Sequence, residues 1–269
     1  MRFGLCVANT GTYSDPRTTV RIARAAEASG WDGLFVWDHL AFVWGQPSAD
    51  PWVTLAAVAA ATERILIGTA VTPVPRRRPH VLAQTVATLD VLSGGRVVFG
   101  AGLGGIASEF ERFGEPAEAK VRAEKLDEGL GVLRRLWSGD EVHHHGPHYT
   151  VDGVTLAPQP VQERLPIWIG GNAPPSLRRA ARWDGWIADS FGPGGMKLSS
   201  DELGRSLEVI RVARTGDEDY EVASLGEWDK ADPGAYAEAG VTFWLENISD
   251  RRGTPAELLQ FVERGPRAV

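Results

Sequence analysis

The chain has 269 residues, of which 43% are hydrophobic and 23% charged, with a formal net charge of −7. That composition belongs to a globular protein with one large core, and its acidic balance excludes the basic face of a duplex-binding protein and disfavours anionic membranes. Cys6 is the single cysteine, so no internal disulfide can form, and a reducing, cytoplasmic setting is expected. Met1-Arg2-Phe3-Gly4 runs straight into an apolar stretch without a signal-peptide pattern, and the apolar helical run from Thr54 to Ala61 is too short to span a bilayer.

In chain order, short β-branched or apolar runs alternate with amphipathic ones. Strands are predicted at Phe3–Ala8, Gly33–Trp37, Ile65–Val71, Val97–Gly102, Pro166–Gly170, Gly185–Asp189, Glu221–Leu225 and Val241–Glu246. Helices are predicted at Pro16–Ser29, Pro51–Thr62, Pro79–Ser93, Val121–Ser138, Pro175–Trp183, Ser200–Thr215, Pro233–Ala239 and Pro255–Glu263. Asp15-Pro16, Asp50-Pro51, Asp232-Pro233 and Thr254-Pro255 each place a capping oxygen before a proline at the first helical position. Ser199 with Glu202 and Thr254 with Glu257 read as capping boxes. The strands are continuous apolar runs, as in a parallel sheet covered by helices on its outer face. Eight βα units in this length favour an α/β fold, a single (β/α)8 TIM barrel over residues 1–269, rather than an open sheet. The irregular insert at 141–162, after the fourth helix, reads as a short hairpin with a proline-rich return.

In such a barrel the chemistry lies at the C-terminal ends of the strands. That rule selects His39 after Asp38, the Ala70-Val71-Thr72 stretch, Leu103-Gly104-Gly105, and Gly170-Gly171-Asn172. His39 is a candidate for acid–base work or a hydrogen bond to a cofactor ring, and reads equally as a structural histidine fixed by Asp38 or backbone. Asp38 has an orienting role or is a cap. Gly170-Gly171-Asn172 feeds a helix start, a geometry that suits a phosphate or a tight turn that binds nothing. Gly100, Gly102 and Gly105 match G-x-G-x-x-G, but Ile106–Glu118 reads as irregular, so the match is accidental and the glycines let a flat ring approach the backbone. Arg76-Arg77-Arg78 could receive an anionic tail, although a solvated loop is the preferred reading. His143, His144, His145 and His148 are read as solvated hairpin residues rather than metal ligands. Trp44 is placed at the pocket wall.

Several of these segments resemble the bacterial-luciferase-like superfamily of flavin- and coenzyme F420-dependent oxidoreductases. The carrying residues are Ala25–Asp32 leading to Val36-Trp37-Asp38-His39, then Ile67–Pro73, Arg78-Pro79-His80 and Ala87–Arg96. Gly100–Gly104 continues into Glu109-Phe110 and Phe113-Gly114, and Pro166–Gly171 precedes Asp184-Gly185-Trp186. The resemblance implies a flavin-type oxidoreductase or monooxygenase acting on a small organic substrate. It places Gly170, Gly171 and Asn172 at the cofactor phosphate, and Ala70 and Val71 at a non-proline cis peptide supporting the ring. Thr72 joins them among the cofactor contacts, as does Asp38; Leu103 and Gly104 line the ring, and His39 lies near its reacting face. The cofactor is F420 or FMN, and the arginine run inclines the choice to F420, whose tail is anionic. A homodimer packed through the helices after strands 2 and 3 is expected, and an FMN-dependent member would draw on a separate flavin reductase. Gly105 stands where F420-dependent sugar-phosphate dehydrogenases carry a catalytic acid, which counts against that substrate. A catalytically weak flavin-binding or carrier protein, and a metal-dependent barrel hydrolase using His39 with the hairpin histidines, are the rival readings.

Overall fold

The computed structural model describes residues 1–40, 45–192, 195–216 and 219–266. The barrel strands are β1 (Arg2–Val7), β2 (Gly33–Val36), β3 (Leu66–Thr69), β4 (Val97–Gly102), β5 (Ile167–Gly170), β6 (Gly185–Ala188), β7 (Glu221–Gly226) and β8 (Phe243–Ile248). All pairings between them are parallel, in the order β3-β2-β1-β8-β7-β6-β5-β4, and a β3–β4 pairing of Ile67 with Val97 closes the ring. The two-residue strand Thr72–Pro73 extends that seam along the end of β4.

The covering helices are α1 (Pro16–Ala28), α2 (Pro51–Ala59), α3 (Pro79–Ser93), α4 (Ala119–Leu136), α5 (Pro174–Ala180), α6 (Ser200–Ala213), α7 (Pro233–Glu238) and α8 (Pro255–Glu263). Their starts follow from the sequence: Asp15, Asp50 and Asp232 accept backbone amides of the first turn, and both capping boxes form. The insert is a hairpin, Val142–His145 against Thr150–Val154. Several boundaries move by up to three residues, and two differences bear on the frame. The last strand is shifted toward the C-terminus because β8 must align Phe243 with Arg2 of β1. The stretch 106–118, expected to be irregular, contains a helical turn at Ser108–Glu111.

Two buried side chains brace the frame. Arg96 donates to the carbonyls of Ala59, Thr62, Ile65 and Ser93, and so closes the C-terminal ends of α2 and α3. Asp90 accepts from the amides of Val161 and Gln162 and from the Gln162 side chain, which ties the insert's return to α3.

Phe35, Trp168 and Phe243 come from strands that do not neighbour one another, yet their rings touch. They can meet only across the barrel axis, so the lower interior is filled. Phe35 and Trp168 stack with centroids 5.6 Å apart, and Phe243 meets each of them edge-on. Gly68 and Gly185 make room: a Cβ at Gly68 would lie 2.3 Å from the Val98 carbonyl and 2.9 Å from the Phe35 ring, and one at Gly185 would lie 2.6 Å from Trp168. Cys6 belongs to this interior, where burial pushes its thiol up to about 12, so it is an inert core group. Because the backbone carbonyl at Gly68 cannot yield, Gly68→Ala is expected to lower stability by about 3 kcal/mol, the upper end of ordinary overpacking, as read by urea denaturation.

Candidate active site

Closure puts every strand's C-terminal end on one rim. There the burial changes: β2, β3, β4 and β5 are almost wholly buried, whereas Trp37, His39, Ala70, Val71, Leu103, Gly104, Gly170, Gly171 and Asn172 are partly exposed. These residues from four consecutive strand ends therefore line one open mouth above the aromatic plug.

The Ala70–Val71 peptide is cis. The Val71 side chain fills the space that a Cβ at Gly102 or Gly170 would need, at 2.3 and 2.8 Å. Gly104 has φ +84°, a left-handed conformation suited to glycine, and a Cβ there would lie 2.8 Å from the Phe110 ring. Arg122 donates to the Gly104 carbonyl and stacks on Phe110. Val71 and Phe110 thus pack tightly against backbone that only glycine permits at Gly102, Gly104 and Gly170. At Gly105 a Cβ would meet nothing within 4 Å, so the position has room for an acidic side chain that this sequence does not supply.

Beside this floor lies a buried ionic cluster. Arg76 donates from Nη2 to the Asp38 carboxylate (2.7 Å) and carbonyl (3.0 Å), and from Nη1 to Glu109 Oε2 (2.9 Å). Arg77 Nη2 reaches both Asp38 oxygens, at 2.8 and 2.7 Å. Glu109, fully buried, also accepts from the Leu40 amide (2.6 Å) and lies 3.2 Å through either oxygen from His39 Nδ1. Burial alone would raise the Glu109 carboxyl, but the hydrogen bonds from His39 and Leu40, followed by the charge interactions with His39 and Arg76, outweigh it and hold it below the usual range. His39 is further fixed by Ser48, which donates to its carbonyl, and by the edge of the Trp37 indole.

Sequence reasoning missed much of this. Arg76 and Arg77, preferred as a solvated loop, are internal partners of Asp38 and Glu109, so neither guanidinium serves an anionic tail; Arg78 alone of the run is exposed. Glu109 appeared only as part of a motif, because the helical turn that aims it was read as irregular. Asp38 and Thr72 lie beneath the mouth: Asp38 is held by the two arginines, and Thr72 is buried with its hydroxyl on Thr69. In the turn after β5, Gly171 has φ +112°, its amide donates to the Ile187 carbonyl and its carbonyl accepts from Trp186. The Asn172 side chain exchanges two hydrogen bonds with the Asp189 backbone. With Pro174 and Pro175 lacking N–H groups, the amides of Asn172 and Ala173 are the donors that turn can offer an anion. The hairpin histidines are not simply solvated: His143 pairs with Glu141 and Asp152, His144 with Glu128, and His148 with Glu124. Among the described residues no group of three or more His, Cys, Asp or Glu is arranged to hold a metal ion. Trp44 lies outside the described residues.

A profile described as luciferase-like monooxygenase matches residues 1–222. The chain belongs to that family. An F420-dependent glucose-6-phosphate dehydrogenase of Microbacterium testaceum is 40% identical over 172 residues, covering 61% of this chain and 50% of the relative. The chain spans about half the length of such curated relatives. An F420-dependent secondary alcohol dehydrogenase holding an F420–acetone adduct superposes with TM-score 0.80 at 21% identity, over 98% of this chain and 96% of the other. The oxygenating constituent of a diketocamphane monooxygenase from Pseudomonas putida, in complex with FMN, superposes with TM-score 0.68 at 22% identity, over 83% and 66%. At these identities the two structures establish the shared (β/α)8 fold.

Removing Arg76 would leave two carboxylates buried at the rim with only Arg77 to compensate. Arg76→Ala is expected to cost about 3–5 kcal/mol, the range for breaking a buried ion pair, seen as a lower urea midpoint at unchanged slope.

Proposed function

We propose that this family member is an oxidoreductase that lays coenzyme F420, or less favourably FMN, across the mouth and acts on a small organic molecule. The observation that carries the reading is the floor itself. Gly104 and Gly170 leave no side chain between the backbone and the mouth, Val71 packs against Gly170, and His39 is held by Glu109 at the edge, which suits the close approach of a planar tricyclic guest. Bound there, a flavin or deazaflavin supplies the redox chemistry. The chain supplies orientation, exclusion of water from one face and a proton-handling group. Ala70, Val71, Leu103 and Gly104 would support the ring, and the amides of Asn172 and Ala173 beside Gly170 and Gly171 would meet its phosphate. His39 would face the substrate.

The preference for F420 rests on the F420 dependence of the dehydrogenase relative, since Arg76 and Arg77 are committed to internal pairs. Gly105 argues against a sugar phosphate as substrate. If FMN were the cofactor, a separate reductase would supply it in reduced form. Among the described residues no helix is long and apolar enough to cross a membrane, and we place the enzyme in the cytoplasm. Titration of the purified protein with F420 and with FMN, followed by absorbance and fluorescence, should show saturable F420 binding at least about tenfold tighter (about 1.4 kcal/mol). Tighter FMN binding would reverse the cofactor assignment, and binding of neither would end the proposal.

A second copy of the chain completes the proposal. Val53 on α2 and Val81, Val91 and Leu92 on α3 are exposed apolar side chains on adjacent helices, the pattern of a face awaiting burial. We place the homodimer interface there. Sedimentation should give a dimer for the native chain and a folded monomer for Val81→Asp with Leu92→Asp; an unchanged dimer would move the interface elsewhere.

A further inference from the structure

We infer that Glu109 and Arg76 are positioning residues that lock the uncharged form of His39 as the tautomer with its proton on Nδ1, which leaves Nε2 as the acceptor nitrogen of the ring. This rests on the proposed role of His39 and specifies which of its nitrogens does the work.

The argument is one of donors and acceptors. An ionised carboxylate can only accept, and a guanidinium or a backbone amide can only donate. The Glu109 carboxylate is gripped by two such obligate donors, Leu40 N–H on Oε1 and Arg76 Nη1 on Oε2. His39 Nδ1 stands 3.2 Å from both oxygens. A lone pair on Nδ1 would face two lone-pair-bearing oxygens, so Nδ1 must carry the hydrogen. Neutral imidazole has one ring proton, and Nε2 is then the acceptor. The same two side chains also hold the backbone on either side of His39, since Arg76 takes the Asp38 carbonyl and Glu109 takes the Leu40 amide. Tautomer and ring position are therefore set by one ion pair. A proton accepted at Nε2 would leave an imidazolium whose Nδ1–H still points at an anion.

The test needs no cofactor. Protein carrying nitrogen-15 histidine is studied by two-bond proton–nitrogen correlation at about pH 8.5, two units above an ordinary imidazole, with His39 assigned by loss of its signals in His39→Gln. The expected native pattern is a proton-bearing Nδ1 and a lone-pair Nε2. A proton on Nε2, alone or together with Nδ1, overturns the inference. Glu109→Ala should abolish the preference and return His39 to the mixed pattern of a free imidazole, while Arg76→Lys should retain it. A native pattern in Glu109→Ala overturns the role of Glu109. Should that variant fail to fold, Arg76→Met combined with Glu109→Leu removes both charges together, avoids an unpaired buried ion, and must likewise lose the native pattern. A failed cofactor titration beside an intact tautomer would sink the functional reading alone.

Discussion

Ring closure is the constraint from which the rest of the molecule follows. Eight parallel strands joined edge to edge have no free edge to end on, and the β3–β4 seam forces their C-terminal ends onto a common rim. Side chains alternate inward and outward along each strand. Below the rim the inward positions are taken by Phe35, Trp168 and Phe243, which leave no passage. At the rim between β3 and β5 the chain supplies mostly small residues, Ala70, Val71, Gly102, Gly104 and Gly170, with Trp37 beside them at the end of β2. One sequence pattern therefore makes both a solid plug and an open, flat floor above it, and the glycines serve both ends. Gly68 and Gly185 yield space to aromatic rings, whereas Gly102 and Gly170 yield it to Val71.

The charges at the rim obey a second constraint. A buried carboxylate is tolerable only when donors replace the water it has lost. Asp38 and Glu109 meet that condition because the guanidinium of Arg76 forks between them. Such pairs add little net stability compared with apolar replacements of the same shape. Their effect is to fix direction: an imidazole between two clamped backbone positions has one orientation. The cluster holds strand 2's exit against the helical turn after strand 4, and that turn also puts Phe110 beneath Gly104. Gly104 and His39 are thus registered to each other through the single turn Ser108–Glu111.

The fold was legible in the sequence because its signals are local. Asp-Pro and Thr-Pro pairs announced helix starts, both capping boxes formed, and α3 and α8 begin and end where periodicity and capping placed them. The rim was legible by rule, since strand ends follow once strands are known. The ionic cluster was not. Arg76, Arg77 and Glu109 are charged residues in loops, and charge in a loop ordinarily means solvent. Nothing nearby in sequence shows that Arg76 meets Asp38 across 38 positions or Glu109 across 33. The Gly171 amide was misjudged for the same reason: its partner is the Ile187 carbonyl on the next strand, a pairing that exists only once β5 and β6 lie side by side.

The absent acid at Gly105 sharpens what remains. Among the described residues four buried carboxylates lie near the strand ends, and each is already matched. Asp38 and Glu109 share Arg76. Glu227 pairs with Lys230 and accepts from Asn247. Glu246 is raised by burial despite Arg252, but it alternates with the inward-facing Phe243 and Leu245, so it points outward beneath the helices and takes Trp244 and Arg252 as partners. A carboxylate held between obligate donors is a poor proton carrier, because protonation would forfeit the bonds that hold it. Imidazole is different, since it can gain a proton on one nitrogen while the other keeps its partner. Of these acids only Glu109 touches His39, through Nδ1, and Arg76 ties the Asp38 carbonyl beside it.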